Sequence, residues 1–142
     1  MKKDKVILVD LDGTIALPDP EIRDPYNTEF EKLIQDSPNK PVIEVIRCLW
    51  EKGYKIIYIT ARDSLGEEGT REWLRLFAPP YINLYMRKHN DFRKDAIVKK
   101  EIYEEKIADY HDVLCVFDDR PQVVEMWREL GLTCMQVAPG DF

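Results

Sequence analysis

Four aliphatic residues in a row, Val6-Ile7-Leu8-Val9, run directly into Asp10-Leu11-Asp12-Gly13-Thr14. Three of the four are β-branched and none is polar, which suits a strand covered on both faces, as in a parallel sheet. In such sheets ligand chemistry gathers at the carboxyl ends of the strands. Asp10 is expected to emerge there, and Asp12, two residues on, points the same way along an extended backbone. Gly13 permits a sharp exit, and Thr14 can hold the loop by hydrogen bonding. The alternative is a strand entering an ordinary polar turn, where Asp and Gly are common.

The rest of the chain repeats the alternation. Pro41 opens a helix with Val42, Val45, Ile46 and Leu49 at helical spacing, and Gly53 stops it. Lys55 to Thr60 reads as a second strand, residues 69 to 77 as a helix carrying Trp73, Leu74 and Phe77, and Ile82 to Met86 as a short strand. Asp91 is positioned to cap a long helix reaching about Asp109. Val113 to Phe117 forms another buried strand, ending at Asp118-Asp119. Pro121 opens a last helix with Val123, Trp127 and Leu130 on one face, and residues 132 to 137 supply a final strand. Strands alternating with helices imply right-handed crossovers, a central parallel sheet and helices on both faces: an α/β, Rossmann-like fold. Residues 15 to 40, broken by Pro18, Pro20, Pro25 and Pro38, read as a loop-dominated excursion.

A length of 142 residues fits one domain, 1–142, in which about two thirds of the unfolded surface can be buried. No apolar segment approaches the roughly 20 residues needed to span a membrane, and the apolar run after the basic start is too short for a signal peptide, so a cytoplasmic protein is expected. Cys48, Cys115 and Cys134 lack metal or redox spacing and read as buried reduced thiols. The net charge of -6 argues against a general nucleic-acid coating protein. Residues 85 to 100 nonetheless carry a local charge of +4, able to attract an anion.

Three strand ends thus carry reactive groups: Asp10 and Asp12, Thr60 and Arg62, Asp118 and Asp119. If they converge, each like-charge pair about 4 Å apart costs on the order of 4 kcal/mol at an effective dielectric near 20. A cation is therefore expected, and oxygen ligands without clustered His or Cys favour Mg²⁺. A divalent cation beside a carboxylate nucleophile, a hydroxyl and cationic side chains describes phosphoryl transfer through an aspartyl-phosphate.

These motifs resemble the haloacid-dehalogenase (HAD) superfamily of aspartate-nucleophile phosphohydrolases, and within it the 3'-phosphatase half of phage-type polynucleotide kinase-phosphatases. The resemblance rests on Asp10-Leu11-Asp12-Gly13-Thr14, Arg23-Asp24-Pro25-Tyr26, Thr60-Ala61-Arg62, Arg93-Lys94-Asp95 with Lys99, and Asp118-Asp119-Arg120-Pro121-Gln122-Val123-Val124-Glu125-Met126-Trp127-Arg128 followed by Gly140-Asp141-Phe142. It implies that Asp10 attacks phosphorus while Asp12 protonates the leaving sugar oxygen and later activates water. It further implies that Mg²⁺ is held by Asp10, by Asp118 or Asp119, and by the main-chain carbonyl of Asp12. Thr60 would bind phosphoryl oxygens. Arg23, Arg62 and Arg87 match arginines that support the substrate phosphate or the site's network. Lys99, four residues after Asp95, would bring an ammonium to the nucleophile; the alternative is an exposed helix salt bridge, with Lys94 as the fallback cation.

Arg120 is expected to pair with its acidic neighbours, His89 and His111 to be solvated or capping groups, and Trp50, Trp73 and Trp127 to be packing residues. The implied substrate is the 3'-phosphate of a DNA or RNA end, with a separate polynucleotide kinase or ligase as partner and no membrane. A nucleotidase or small-molecule phosphatase using the same aspartates is the alternative. The 142 residues contain no Gly-x-x-x-x-Gly-Lys-Ser/Thr loop, so kinase activity is not expected. Between the first two motifs there is no room for a large cap domain, and an open cleft would admit a polymer end.

Overall fold

A computed structural model of the chain describes residues 2–140. Its centre is a five-stranded parallel sheet in the order β5-β4-β1-β6-β7, built from β1 (Asp4–Val9), β4 (Lys55–Asp63), β5 (Asn83–Arg87), β6 (His111–Asp118) and β7 (Cys134–Gln136). The apolar run of β1 lies mid-sheet, with Val6, Ile7, Leu8 and Val9 all fully buried. Ile7 and Val9 face α2 (Lys40–Glu51) and α3 (Glu67–Phe77), packing with Ile43, Ile46, Trp73 and Leu74. Val6 and Leu8 face the opposite layer, α4 (Asp95–Ile102) and α5 (Pro121–Glu129), where Ile107, Val123 and Trp127 complete the core. Alternation along one strand therefore feeds two helical layers, the α/β architecture expected from the sequence.

The excursion after β1 has structure of its own. β2 (Ala16–Leu17) pairs antiparallel with β3 (Ser37–Pro38), and α1 (Phe30–Leu33) packs on α3. The pairing carries Arg23 and Asp36 into the interior, where both are buried.

Several expectations need correction. The strand read as ending at Thr60 continues to Asp63, with a register irregularity between Thr60 and Asp63, so Thr60 and Arg62 lie within β4. The helix expected from Asp91 begins instead at Asp95, because Arg87 draws in the carbonyls of Asp91 and Arg93 and keeps that backbone irregular. α4 stops at Ile102 and gives way to a π-helical turn, Tyr103–Ile107, rather than running on to Asp109. Cys48 lies on the outer face of α2 and is exposed, whereas Cys115 and Cys134 are buried. Asp141 and Phe142, the end of the terminal motif, fall outside the described residues.

Candidate active site

The carboxyl end of β1 delivers Asp10, whose N–H donates to the Phe117 carbonyl of β6 at 2.9 Å, so the two strand ends are locked in step. The Asp10 carboxylate accepts at both oxygens. Lys99 Nζ donates to Oδ1 at 2.7 Å, and Thr14 Oγ1 donates to Oδ2 at 2.8 Å. Lys99 reaches across from α4 and also donates to Asp118 Oδ2 at 3.1 Å. Asp118 is further fixed by the indole N–H of Trp127 at 3.2 Å and by the backbone N–H of Asp119 at 2.8 Å. A buried lysine between two carboxylates is not the exposed salt bridge weighed above, and no ion pair joins it to Asp95 among the described residues.

Asp10, Asp118 and Asp119 each offer an oxygen, and these oxygens lie within 4.8 Å of one another. Three buried carboxylates face one ammonium, an excess of negative charge that a divalent cation complements. Asp119 Oδ2 is buried and has no hydrogen-bond partner, so one donor oxygen in the cluster is uncommitted. Burial, then the neighbouring Asp118 carboxylate, pushes the Asp10 pKa well above the usual aspartate range, against the pull of Lys99. Burial raises Asp119 as well. At Lys99 burial opposes the charge, but Asp10 and Asp118 outweigh it and hold the ammonium above its ordinary pKa. The donor set, all hard oxygen, fits Mg²⁺.

Gly13 is needed for this convergence. Its φ is +85°, and a Cβ built there would stand 2.1 Å from Asp119 Oδ2. Any side chain would displace the acidic cluster from the loop. Gly140, at φ +66°, plays a comparable part behind the site, since its Cβ would meet the Asp119 carbonyl at 2.2 Å.

Asp12 belongs to a second cluster. Arg62 grips it in a fork, Nε to Oδ2 at 3.0 Å and Nη2 to Oδ1 at 2.6 Å, and Arg23 Nη2 adds a bond to Oδ1 at 2.9 Å. Both guanidiniums are themselves anchored by Asp36: Arg23 through 2.8 and 2.7 Å bonds, Arg62 through one of 2.8 Å. Thr70 on α3 accepts a further bond from Arg62 at 3.0 Å. Burial alone would raise the Asp12 pKa, but Arg62 and then Arg23 outweigh it and hold the carboxyl below its usual range. Two adjacent aspartates of one loop are thus electrostatically opposite.

Thr60 is buried under this site and its hydroxyl oxygen accepts from the Arg62 N–H at 3.1 Å. Arg87 and Asp95 stand further out. Arg87 donates to the Ala61 carbonyl at 2.9 Å and to the Asp91 and Arg93 carbonyls at 3.0 and 2.6 Å, and pairs with Asp95. Asp95 also holds Arg120, so Arg120 has a partner across the fold. The three residues tie the ends of β5 and β6 to the start of α4, the helix that presents Lys99. Lys94 is exposed. His89 Nδ1 lies 2.9 Å from Asp63 Oδ2 on the surface, while His111 has a buried Nδ1 without a partner.

Asp36, Thr70 and the Trp127 indole N–H were missed from sequence. Asp36 sits in a polar stretch with no periodic signal, and Trp127 reads as core because its spacing is that of core. Only the polar edge of its ring, which buried Trp commonly pairs, hinted at a second task.

The sheet order and the carboxylates at the ends of β1 and β6 define an α/β phosphohydrolase fold of HAD type. The same fold occurs in the class C acid phosphatase from Bacillus anthracis, at TM-score 0.58 and 20% identity over 84% of this chain and 53% of that one. The family model for the polynucleotide kinase PNKP phosphatase domain matches residues 4–142, and the chain belongs to this family of phosphomonoester hydrolases. A structure of the Pnkp1/Rnl/Hen1 RNA repair complex contains a chain that matches at TM-score 0.91 and 42% identity, covering 99% of this chain and 44% of that one. An inferred bifunctional polynucleotide kinase/RNA ligase of Autographa californica nuclear polyhedrosis virus is 34% identical over 130 residues, 90% of this chain and 18% of the relative. An inferred nucleotidase of Oceanobacillus iheyensis is 30% identical over 122 residues, 82% of this chain and 58% of the relative. The chain therefore spans less than two thirds of the length of each of these relatives. Among the described residues no helix is long and apolar enough to cross a membrane.

Proposed function

We propose that this domain is a Mg²⁺-dependent polynucleotide 3'-phosphatase that removes the terminal phosphate from DNA or RNA ends, acting beside a polynucleotide kinase or ligase. The observation that carries the reading is the contrast between Asp10, buried against Lys99 and two further carboxylates, and Asp12, gripped by two arginines. The membership in a polynucleotide kinase phosphatase-domain family supports the polymer substrate.

Asp10 attacks phosphorus; the bond from phosphorus to the sugar 3'-oxygen breaks and its electron pair leaves on that oxygen. Asp12 supplies the proton to the leaving oxygen. Water then attacks the phosphoaspartate, Asp12 takes its proton, and the bond to Asp10 breaks with release of phosphate. In the free site Arg23 and Arg62 hold Asp12 ionised, so the proton it gives to the leaving oxygen is taken up from solvent as substrate binds, and the one it takes from water returns to solvent after phosphate is released. An incoming phosphate adds negative charge beside Asp12 and competes for the same guanidiniums, and both effects raise its proton affinity. Thr60 and Arg62 receive the phosphoryl oxygens. Lys99 offsets charge on the attacking carboxylate, and Asp36 keeps both arginines extended toward the cleft. Asp95 with Arg87 positions α4 and so Lys99. Asp10, Asp118, Asp119 and the Asp12 carbonyl would hold Mg²⁺, which supplies neutralisation of charge on the transferring phosphoryl group.

The test compares rates on a 3'-phosphorylated oligonucleotide, a 3'-mononucleotide and a 5'-phosphorylated oligonucleotide. Preference for the first supports the proposal. Equal or faster turnover of the mononucleotide would favour the nucleotidase reading instead, to which the likeness with the O. iheyensis protein lends weight.

A further inference from the structure

Large apolar side chains left in water mark contact surfaces when they are not scattered at random. Among the described residues Tyr26 is 91% exposed and Phe92 90%, while the next most exposed large apolar side chain, Tyr110, reaches 63%. Tyr110 precedes β6, at the amino end of the strands and so at the opposite end of the sheet from their carboxyl termini. Tyr26 and Phe92 both follow strand carboxyl ends, on the excursion after β1 and the loop after β5. The loop after β4, the strand between those two in the sheet, bears Leu65 at 62% exposure.

Neither aromatic sits on a slack loop. Phe92 lies between Asp91 and Arg93, whose carbonyls both accept from Arg87. The turn before it is closed by the Asp91 N–H to the Lys88 carbonyl at 3.1 Å, with Asn90 in the left-handed region at φ 67°. Tyr26 is held similarly. Its N–H donates to Asp24 Oδ1 at 2.9 Å, and the Asp24 carbonyl accepts from Arg23, the arginine that also grips Asp12. Each turn is thus fixed by an arginine belonging to the site's network, while the aromatic ring it carries projects into solvent.

We propose that Tyr26 and Phe92 are stacking platforms for the bases of an unpaired strand whose terminal phosphate enters the site, an inference that rests on the polynucleotide reading above. Every base offers a π-face to a ring, so stacking recognises a single strand without reading its sequence. Exposed Lys88 and Lys94 stand close along the chain on either side of Phe92 and provide charge complementary to a phosphodiester backbone. Fixing the turns in advance lowers the ordering cost of binding.

The test measures KM and kcat on an unpaired 3'-phosphorylated hexanucleotide and on p-nitrophenyl phosphate for the wild type, Tyr26→Ala, Phe92→Ala and Phe92→Trp. A lost stack should raise KM on the oligonucleotide about tenfold in each alanine variant. Parameters on p-nitrophenyl phosphate should stay at wild-type values, and Phe92→Trp should restore the oligonucleotide KM. An unchanged oligonucleotide KM in both alanine variants overturns the proposal and leaves the rings to a protein partner. Equal losses on both substrates overturn it too, since they report a disturbed site. A wild-type protein that hydrolyses p-nitrophenyl phosphate but not the oligonucleotide would remove the polynucleotide reading and this inference together.

Discussion

Lys99 sets its ammonium 2.7 Å from Asp10 Oδ1 although 89 residues separate the two in the chain. Neither charge has another role at the surface, for both side chains are almost fully buried. Lys99→Met keeps the length and removes the charge. It should lower kcat at least about 100-fold, the scale for losing one preorganised donor at a developing charge. It should also destabilise the fold by ~3–5 kcal/mol, because Asp10 and Asp118 are left buried without their cation. Chemical unfolding of the single variant and of Asp10→Asn/Lys99→Met measures this. The double variant should recover part of the loss, and a double variant as unstable as the single one would show that packing rather than charge is responsible.

Metal binding should be visible without any substrate. Mg²⁺ at about 100 times its Kd contributes about 2.7 kcal/mol to the native state by linkage. The thermal midpoint should rise accordingly in the wild type, and the rise should be much smaller in Asp119→Ala, which removes the buried oxygen that has no partner. Equal shifts in the two proteins would exclude Asp119 as a ligand.

Acid should act on the fold through Asp12. Its folded-state pKa is depressed by Arg62 and Arg23, below the value of about 3.9 for an unperturbed aspartate. A depressed acid contributes stability that is present above the unfolded pKa and is lost as pH falls through the folded one. Urea midpoints measured from about pH 6 to pH 3 should therefore drop in the wild type, and Asp12→Asn should show a shallower decline. Parallel declines would assign the acid sensitivity to other carboxylates.

The cysteines should differ in reactivity. Cys48 is exposed, whereas burial raises the Cys115 thiol and pushes Cys134 up to about 12. Iodoacetamide at about pH 8 should add one label to the native protein, on Cys48, and three after denaturation, counted by mass spectrometry. Native labelling of Cys134 would contradict the packing between β6 and β7.

Much of the fold was legible because its signals are local. The β1 run, the proline at the start of α5 and the spacing of Trp73 and Trp127 each announce an element without help from the rest of the chain. The start of α4 was misread for the opposite reason. Asp91 has the chemistry of a cap, but its carboxylate accepts from the N–H and side chain of Arg93, and Arg87, itself anchored on the Ala61 carbonyl of β4, holds the backbone there out of helix. The aspartates of the site could be named because they end strands. Asp36 could not, since its importance comes entirely from where the β2–β3 pairing delivers it.

The site is also a clock for folding. Thr14 meets Asp119 across 105 residues, and Lys99 meets Asp10 across 89, so the cluster cannot assemble from any short stretch of chain. Contacts between distant positions form late, after loop closure has been overcome. Regained catalysis during refolding should then trail the return of helical signal, and a nascent chain should stay inactive until α5 has been made.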